Sequence, residues 1–198
     1  MGSITKTAGV SQAQRIYPAA GFEAPTSELL RRAFGTYATG IAVIGARGAD
    51  GTLVGMTANS FTSVSLNPPL VLFCPARTLS SFKAYSTTTH FSASILPAGA
   101  EGVSNHFARS NSGKWSAVAH GTSETGMPFL DFALACFECE VVARHDAGDH
   151  LIVLGQVLQV QLADWKEPLV FFRSRYRQLD ALAQPAASEE EPPFSVWG

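Results

Sequence analysis

A chain of 198 residues that is 46% hydrophobic and 15% charged is long enough for one globular domain with tails. Its net charge of −2 and the lack of any Lys/Arg cluster argue against nucleic acid or an anionic membrane surface as partner and leave small molecules as the better candidates. No apolar run approaches the ~18 residues of a membrane span, no continuous apolar signal region opens the chain, and three cysteines are too few and odd for a disulfide framework. A cytoplasmic location is therefore expected.

Residues 1–25 mix Gly, Ser, Ala and Pro without periodicity and read as a flexible arm. Thr26 or Ser27 can cap a helix whose Leu30, Ala33, Phe34 and Tyr37 share one face for packing, with Gly40 placed to end it. The run 41–46 is a short buried strand, 48–51 supplies an Asp-Gly hairpin turn, and the chain returns through 52–60. Strands are expected at 61–66 and 69–74, a short helix at 78–85, a strand at 90–96 and a helix at 98–109. Ser110 to Pro128, rich in Ser, Gly and Thr, reads as an irregular loop of the kind that covers sites. Two long strands follow at 133–145 and 150–163 around the turn 146–149, and 168–172 gives one more. Residues 26–180 form the domain; the tail 181–198 combines charge and prolines and reads as disordered or draped over a surface through Phe194 and Trp197.

Within this order Gly55 to Pro69 stands apart. It holds seven Ser, Thr or Asn side chains (Thr57, Asn59, Ser60, Thr62, Ser63, Ser65, Asn67) between apolar runs. Small side chains let a backbone approach a ligand and offer its N–H and C=O groups, a wall that suits a flat heteroaromatic with polar edges. The plainer reading of the same residues is a Ser/Thr-rich edge strand ending in a turn at Asn67-Pro68-Pro69.

Cys136 and Cys139 form a C-x-x-C, but the surrounding residues alternate as a strand, and residues three apart on a strand point to opposite faces. The two thiols therefore cannot chelate one metal or form a disulfide. Cys139 reads as core, Cys136 as incidental and Cys74 as a small buried hydrophobe. Neither a dinucleotide fingerprint, a P-loop, a nucleophile elbow nor a metal-ligand spacing occurs. Many short hairpin-connected strands with few helices describe an antiparallel barrel with peripheral helices.

The motifs TYATG, VGMTANSFTSVSLNPPLVLFC, FSASIL, NHFARS, GKW, GDHLIVLGQV and PLVFFRSRY stand in an order that resembles the short-chain flavin reductases, the reductase components of two-component flavin-dependent monooxygenases. The resemblance spans about residues 28 to 180. It implies a mainly β, antiparallel split β-barrel of the FMN-binding type with a few peripheral helices, in a homodimer with flavin sites near the subunit contact. It also implies hydride transfer from NADH or NADPH to FMN or FAD, with reduced flavin passed to a partner monooxygenase.

By the same resemblance, Thr57, Ala58, Asn59 and Ser60 line the isoalloxazine, and Ser63, Val64 and Ser65 continue the wall. Arg77, Ser80 and Ser81 hold the flavin phosphate, Phe107, Ala108 and Arg109 lie beside the cofactor, and Tyr176 belongs to a final element near it. His150, in Gly148-Asp149-His150, is the catalytic candidate, placed to orient the nicotinamide. Ser174 stands where the family commonly has Gly, and Trp115 where it has Phe, a larger ring that could narrow the pocket. No metal is implied. A different class of protein, a flavin-binding carrier without fast reductase activity, fits the same residues; a pyridoxamine-phosphate-type oxidase lacks its basic phosphate clamp here.

Overall fold

The computed structural model describes residues 21–110, 113–164 and 167–179. The first 20 residues of the expected arm and the tail with Phe194 and Trp197 lie outside them. The chain divides into two units, Met1–Phe34 and Gly35–Gly198. In the first, helix α1 (Ser27–Phe34) starts at Thr26, whose Oγ1 accepts the Leu29 N–H at 3.2 Å and whose carbonyl accepts the Leu30 N–H at 2.9 Å. The expectation of a packed apolar face is not met: no residue of α1 is buried, and the helix stops short of Tyr37 and Gly40.

The second unit carries twelve strands. In chain order they are β1 (Thr39–Gly40), β2 (Ala42–Arg47), β3 (Leu53–Ala58), β4 (Thr62–Leu66), β5 (Pro69–Phe73), β6 (His90–Ile95), β7 (Gly121–Thr122), β8 (Pro128–Phe129), β9 (Ala135–Ala147), β10 (His150–Leu162), β11 (Val170–Phe172) and β12 (Arg175–Arg177). Helices α2 (Phe82–Thr87) and α3 (Glu101–Ala108) and a 3-10 turn, Lys114–Ala117, complete it. Seven strands form one antiparallel sheet in the order β3-β2-β6-β9-β10-β5-β4; β1-β11-β12 and β7-β8 form small sheets beside it.

Alternation along the strands produces two cores. Ile44, Met56, Phe73, Phe91, Cys139 and Val153 meet in the first, with Tyr85 of α2. Its phenol donates to the Ile44 carbonyl at 3.0 Å, so the one polar atom this ring carries inward is satisfied. Residues of β3 and β5, near opposite ends of the strand order, share this cluster, which requires the sheet to curl around it. Three bulges accompany the curl: the register skips Val64 in the β4–β5 pair, and Val142 and Leu158 in the β9–β10 pair. Each bulged side chain is exposed, and bulges of this kind strengthen local twist.

Val43, Leu96, Phe107, Trp115, Leu130 and Leu169 form the second core. Cys136 belongs to it and Cys139 to the first, as the strand argument requires. Cys136 is not incidental, however: it is buried, and its thiol donates to the Leu130 carbonyl at 3.5 Å. Cys74 is only half-buried.

Two further corrections concern the elements. Residues 78–81, expected as the first turn of a helix, make successive tight turns (Leu79 N–H to Ala76 O at 3.1 Å, Phe82 N–H to Leu79 O at 3.0 Å), and α2 begins only at Phe82. The loop from Ser110 to Pro128 holds the 3-10 turn and β7. Among the described residues no helix is long and apolar enough to cross a membrane.

Arg173 and Ser174 join β11 to β12 with φ of 50° and 59°, both in the left-handed region that the tightest hairpin loop demands. Ser174 thus holds the conformation a glycine would adopt more readily. Ser174→Gly is expected to stabilise the protein by about 0.5–1 kcal/mol, raising Tm in calorimetry by about 2–4 °C; an unchanged or lower Tm would show that the strain is relieved elsewhere.

Candidate functional site

β3 is an edge strand, paired to β2 alone. Its alternation sends Val54, Met56 and Ala58 to the first core and leaves Gly55 and Thr57 toward α3 and the 3-10 turn. Two side chains from that turn cap carbonyls on β3. Lys114 Nζ donates to Gly55 O at 3.0 Å and to Phe107 O at 2.8 Å, and Trp115 Nε1 donates to Val54 O at 2.9 Å. Gly55 must be glycine, because a Cβ there would stand 2.6 Å from the Phe107 ring and 3.0 Å from Trp115 Nε1, closer than packed atoms tolerate. Two residues on, Thr57 Oγ1 donates to Ser104 O at 2.6 Å. The Tyr176 hydroxyl lies 2.9 Å from both Ser104 Oγ and Asn105 Oδ1. Thr57 and Tyr176, far apart in sequence, are thereby tied to one helix.

The rest of the polar stretch is spread across both edges of the sheet. Ala58 is buried and Asn59 exposed. Ser60 Oγ accepts the Cys74 N–H at 3.0 Å. Ser63, Val64 and Ser65 lie on β4, the other edge strand; Ser63 and Val64 are exposed, and Ser65 Oγ accepts the Asn67 N–H at 3.2 Å. The segment 59–61 therefore links the two edges, and the Ser/Thr-rich edge-strand reading and the ligand-wall reading describe the same residues.

Beside β3 a cleft opens between Thr52 to Gly55, Ser80 and Ser81, and Ser110, Gly113 and Lys114. Among the described residues its polar side chains are hydroxyls and one ammonium, with no carboxylate. Burial pulls the Lys114 pKa below the ordinary lysine value. Two of the three ammonium protons are bound to carbonyls, so one is left for a ligand. Hydroxyl donors around a partly desolvated cation suit a phosphate group. Lys114 is the cleft residue that the sequence did not single out as a candidate contact; its only signal was a lone bulky Lys-Trp pair in a loop of small residues.

Of the other expected residues, Ser80 and Ser81 line this cleft and Arg77 does not. Arg77 instead clamps the β9–β10 turn: its N–H donates to Asp149 O at 2.9 Å, Nε donates to Gly148 O at 3.2 Å, and a terminal nitrogen pairs with Asp146. The guanidinium also lies 5.6 Å from the Phe82 ring centre. Phe107 is buried behind β3 in edge contact with Trp115, their centroids 4.7 Å apart, while Ala108 and Arg109 are exposed at the end of α3. Trp115 is itself core and does not line the cleft, so its extra size fills space behind β3 rather than narrowing the opening.

His150 begins β10, bridged to Ala76 and therefore beside the Arg77 clamp. Its Nδ1 stands 2.7 Å from Asp149 Oδ1. The hydrogen bond from His150, together with its charge, holds the Asp149 carboxyl below the usual carboxylate range. With Nδ1–H donated to Asp149, Nε2 is left for a ligand. The structure thus forms two groups, one around β3, α3 and the cleft, the other around Arg77 and His150. The chain from Arg77 to Ser81 runs from the second to the first.

Comparison with known proteins bears on the family of the chain. Residues 34–180 match the family model described as the flavin reductase like domain. The chain is 41% identical over 145 residues to the FMN reductase (NADH) SmoA of Agrobacterium fabrum, covering 73% of this chain and 82% of that protein. It is 35% identical over 152 residues to HsaB, the reductase subunit of a flavin-dependent monooxygenase of Mycobacterium tuberculosis, covering 76% of this chain and 81% of the subunit. Among solved structures, the NADH:FAD oxidoreductase SgcE6 of Streptomyces globisporus, in complex with NAD and FAD fragments, superposes with a TM-score of 0.77 at 35% identity over 83% of this chain and 100% of that one.

Proposed function

The chain belongs to the flavin reductase-like family, and from that premise we propose that it is an NAD(P)H:flavin oxidoreductase that reduces FMN or FAD for a partner monooxygenase. NADH is the donor named for two of the relatives above, SmoA and SgcE6. The observation that carries the reading into this chain is the cleft at the β3 edge, where Ser80, Ser81 and Lys114 stand beside a backbone freed of side-chain bulk.

The flavin supplies the hydride acceptor; the protein supplies binding and alignment. Ser80, Ser81 and Lys114 hold the phosphate end, and the main chain of Thr57 to Ser60, continued by Ser63 to Ser65, offers hydrogen bonds to the ring system. Thr57 and Tyr176 keep that main chain fixed through their shared contacts on Ser104. His150 orients the nicotinamide, with Asp149 setting its tautomer and Arg77 holding the turn on which it rides. In this assignment Arg77 serves the nicotinamide side rather than the phosphate.

The curled sheet is read as a split barrel, supported by the single core shared between β3 and β5. A cytoplasmic setting is supported by three free cysteines. A homodimer is supported by the family resemblance alone; light scattering at assay concentration should report twice the chain mass, and a monomer would contradict it.

Anaerobic mixing of the protein with NADH and excess FMN tests the function itself. A reductase turns over at ordinary enzyme rates, about 1–10³ per second, whereas a carrier perturbs the flavin absorbance without sustained NADH oxidation, and that result would overturn the proposal. His150→Ala is expected to raise the KM for NADH or slow flavin reduction in stopped flow by about threefold to tenfold, the loss of one hydrogen bond. FMN affinity should stay near wild type, and wild-type NADH dependence would reduce His150 to a turn residue.

A further inference from the structure

A second cavity opens on a different part of the sheet. Its floor is a row across three strands, Ser92 of β6, Glu138 of β9 and Gln159 of β10, directly opposite one another in register. The bulge at Leu158 creates this row, since the register passes from the Val157–Cys139 pair to the Gln159–Glu138 pair. In an unbroken register Leu158 would face Glu138 instead. Phe129 lines one side, while the ring of Phe137, the strand neighbour of Glu138, turns to the other face and packs on Phe61 in the first core.

Glu138 is buried, only 6% exposed. Ser123 Oγ donates to its Oε1 at 2.5 Å, the Thr125 N–H donates to the same oxygen at 2.8 Å, and Thr125 Oγ1 donates to it as well. Burial works against the charge, but these bonds, with His90 nearby, outweigh it and hold the carboxyl below the usual glutamate value. Oε2 accepts no hydrogen bond among the described residues, and it is not sealed away, since the only sealed, unpartnered side-chain polar atom among those residues is Thr39 Oγ1. Glu124 adds a second carboxylate to the lining, and no Lys, Arg or His lines the cavity.

A carboxylate with one saturated oxygen and one open oxygen, beside an aromatic residue and with no Lys, Arg or His among the described residues that line the cavity, is complementary to a flat cation bearing N–H donors. A metal ion is a poorer fit, because no group of three or more His, Cys, Asp or Glu side chains able to hold one occurs among the described residues. We propose that this cavity is a binding site for a small organic cation of the aryl-amidinium or aryl-ammonium class, with Glu138 Oε2 as the charge partner and Gln159 as a second polar contact. The site is separate from the flavin cleft, with which it shares no lining residue.

Calorimetric titration of the full chain with benzamidine, and with neutral benzamide of nearly the same shape, tests this. Benzamidine should bind saturably and at least about tenfold tighter than benzamide, the worth of one charged hydrogen bond. Glu138→Gln keeps an acceptor for Ser123 and Thr125 and should bring the two ligands within about twofold. Gln161→Trp, which fills the cavity without touching the Glu138 donors, should abolish binding and keeps the test decisive if Glu138→Gln fails to fold. Absence of saturable benzamidine binding, equal affinity for benzamide, binding that survives both variants, or competition by FMN would each overturn the proposal.

Discussion

The candidate site depends on how the open edge of β3 is satisfied. An unpaired edge invites another strand, and here Lys114 and Trp115 close part of it by donating to the carbonyls of Gly55 and Val54. That contact draws the 3-10 turn onto the strand, puts Phe107 behind Gly55 and leaves an ammonium at the mouth of the cleft. One set of bonds therefore fixes the 3-10 turn against β3 and places Lys114 at the end of the cleft proposed to take the phosphate. The cost is a partly desolvated lysine with no carboxylate on it, a state that an arriving phosphate relieves.

The hydride-donor side is organised by a different device. A two-residue hairpin, Gly148 and Asp149 between β9 and β10, places His150 at the start of a strand, where a rigid ladder fixes its backbone. Arg77 then ties that turn to the segment that carries Ser80 and Ser81. Loops positioned by a rigid scaffold are where binding residues accumulate, and here the scaffold connects the two halves of the proposed reaction through five consecutive residues. A shift of the turn would be transmitted to the cleft, which gives the Arg77 clamp its importance without any contact to a phosphate.

Much of the sheet was legible in the sequence because alternation and turn chemistry are local signals. The Asp-Gly turn located the β2–β3 hairpin, and the polar alternation of Gln159 and Gln161 located β10. The C-x-x-C was correctly dismissed by period alone. Less was legible where a tertiary contact decides. Nothing local says that Cys136 meets the Leu130 carbonyl, that residues 78–81 are turns rather than helix, or that β12 exists, since its three residues gain their pairing only from β11. The same holds for the site. The resemblance assigns Arg77 with Ser80 and Ser81 to the phosphate, while in the structure the Arg77 guanidinium is engaged by Asp146 and the β9–β10 turn. Lys114, in a loop without periodicity, reaches the cleft only because β3 offers it carbonyls.

The phosphate end of the cleft is the point at which the account is most exposed. Comparing FMN with riboflavin, which lacks the phosphate, in wild type and in Lys114→Gln measures it directly by fluorescence titration. The account predicts that wild type favours FMN and that Lys114→Gln loses about 1.5–3 kcal/mol of FMN affinity, the worth of a charged hydrogen bond, while riboflavin affinity hardly changes. An equal loss for both flavins would assign Lys114 to structure alone, and an unchanged FMN preference would place the phosphate elsewhere.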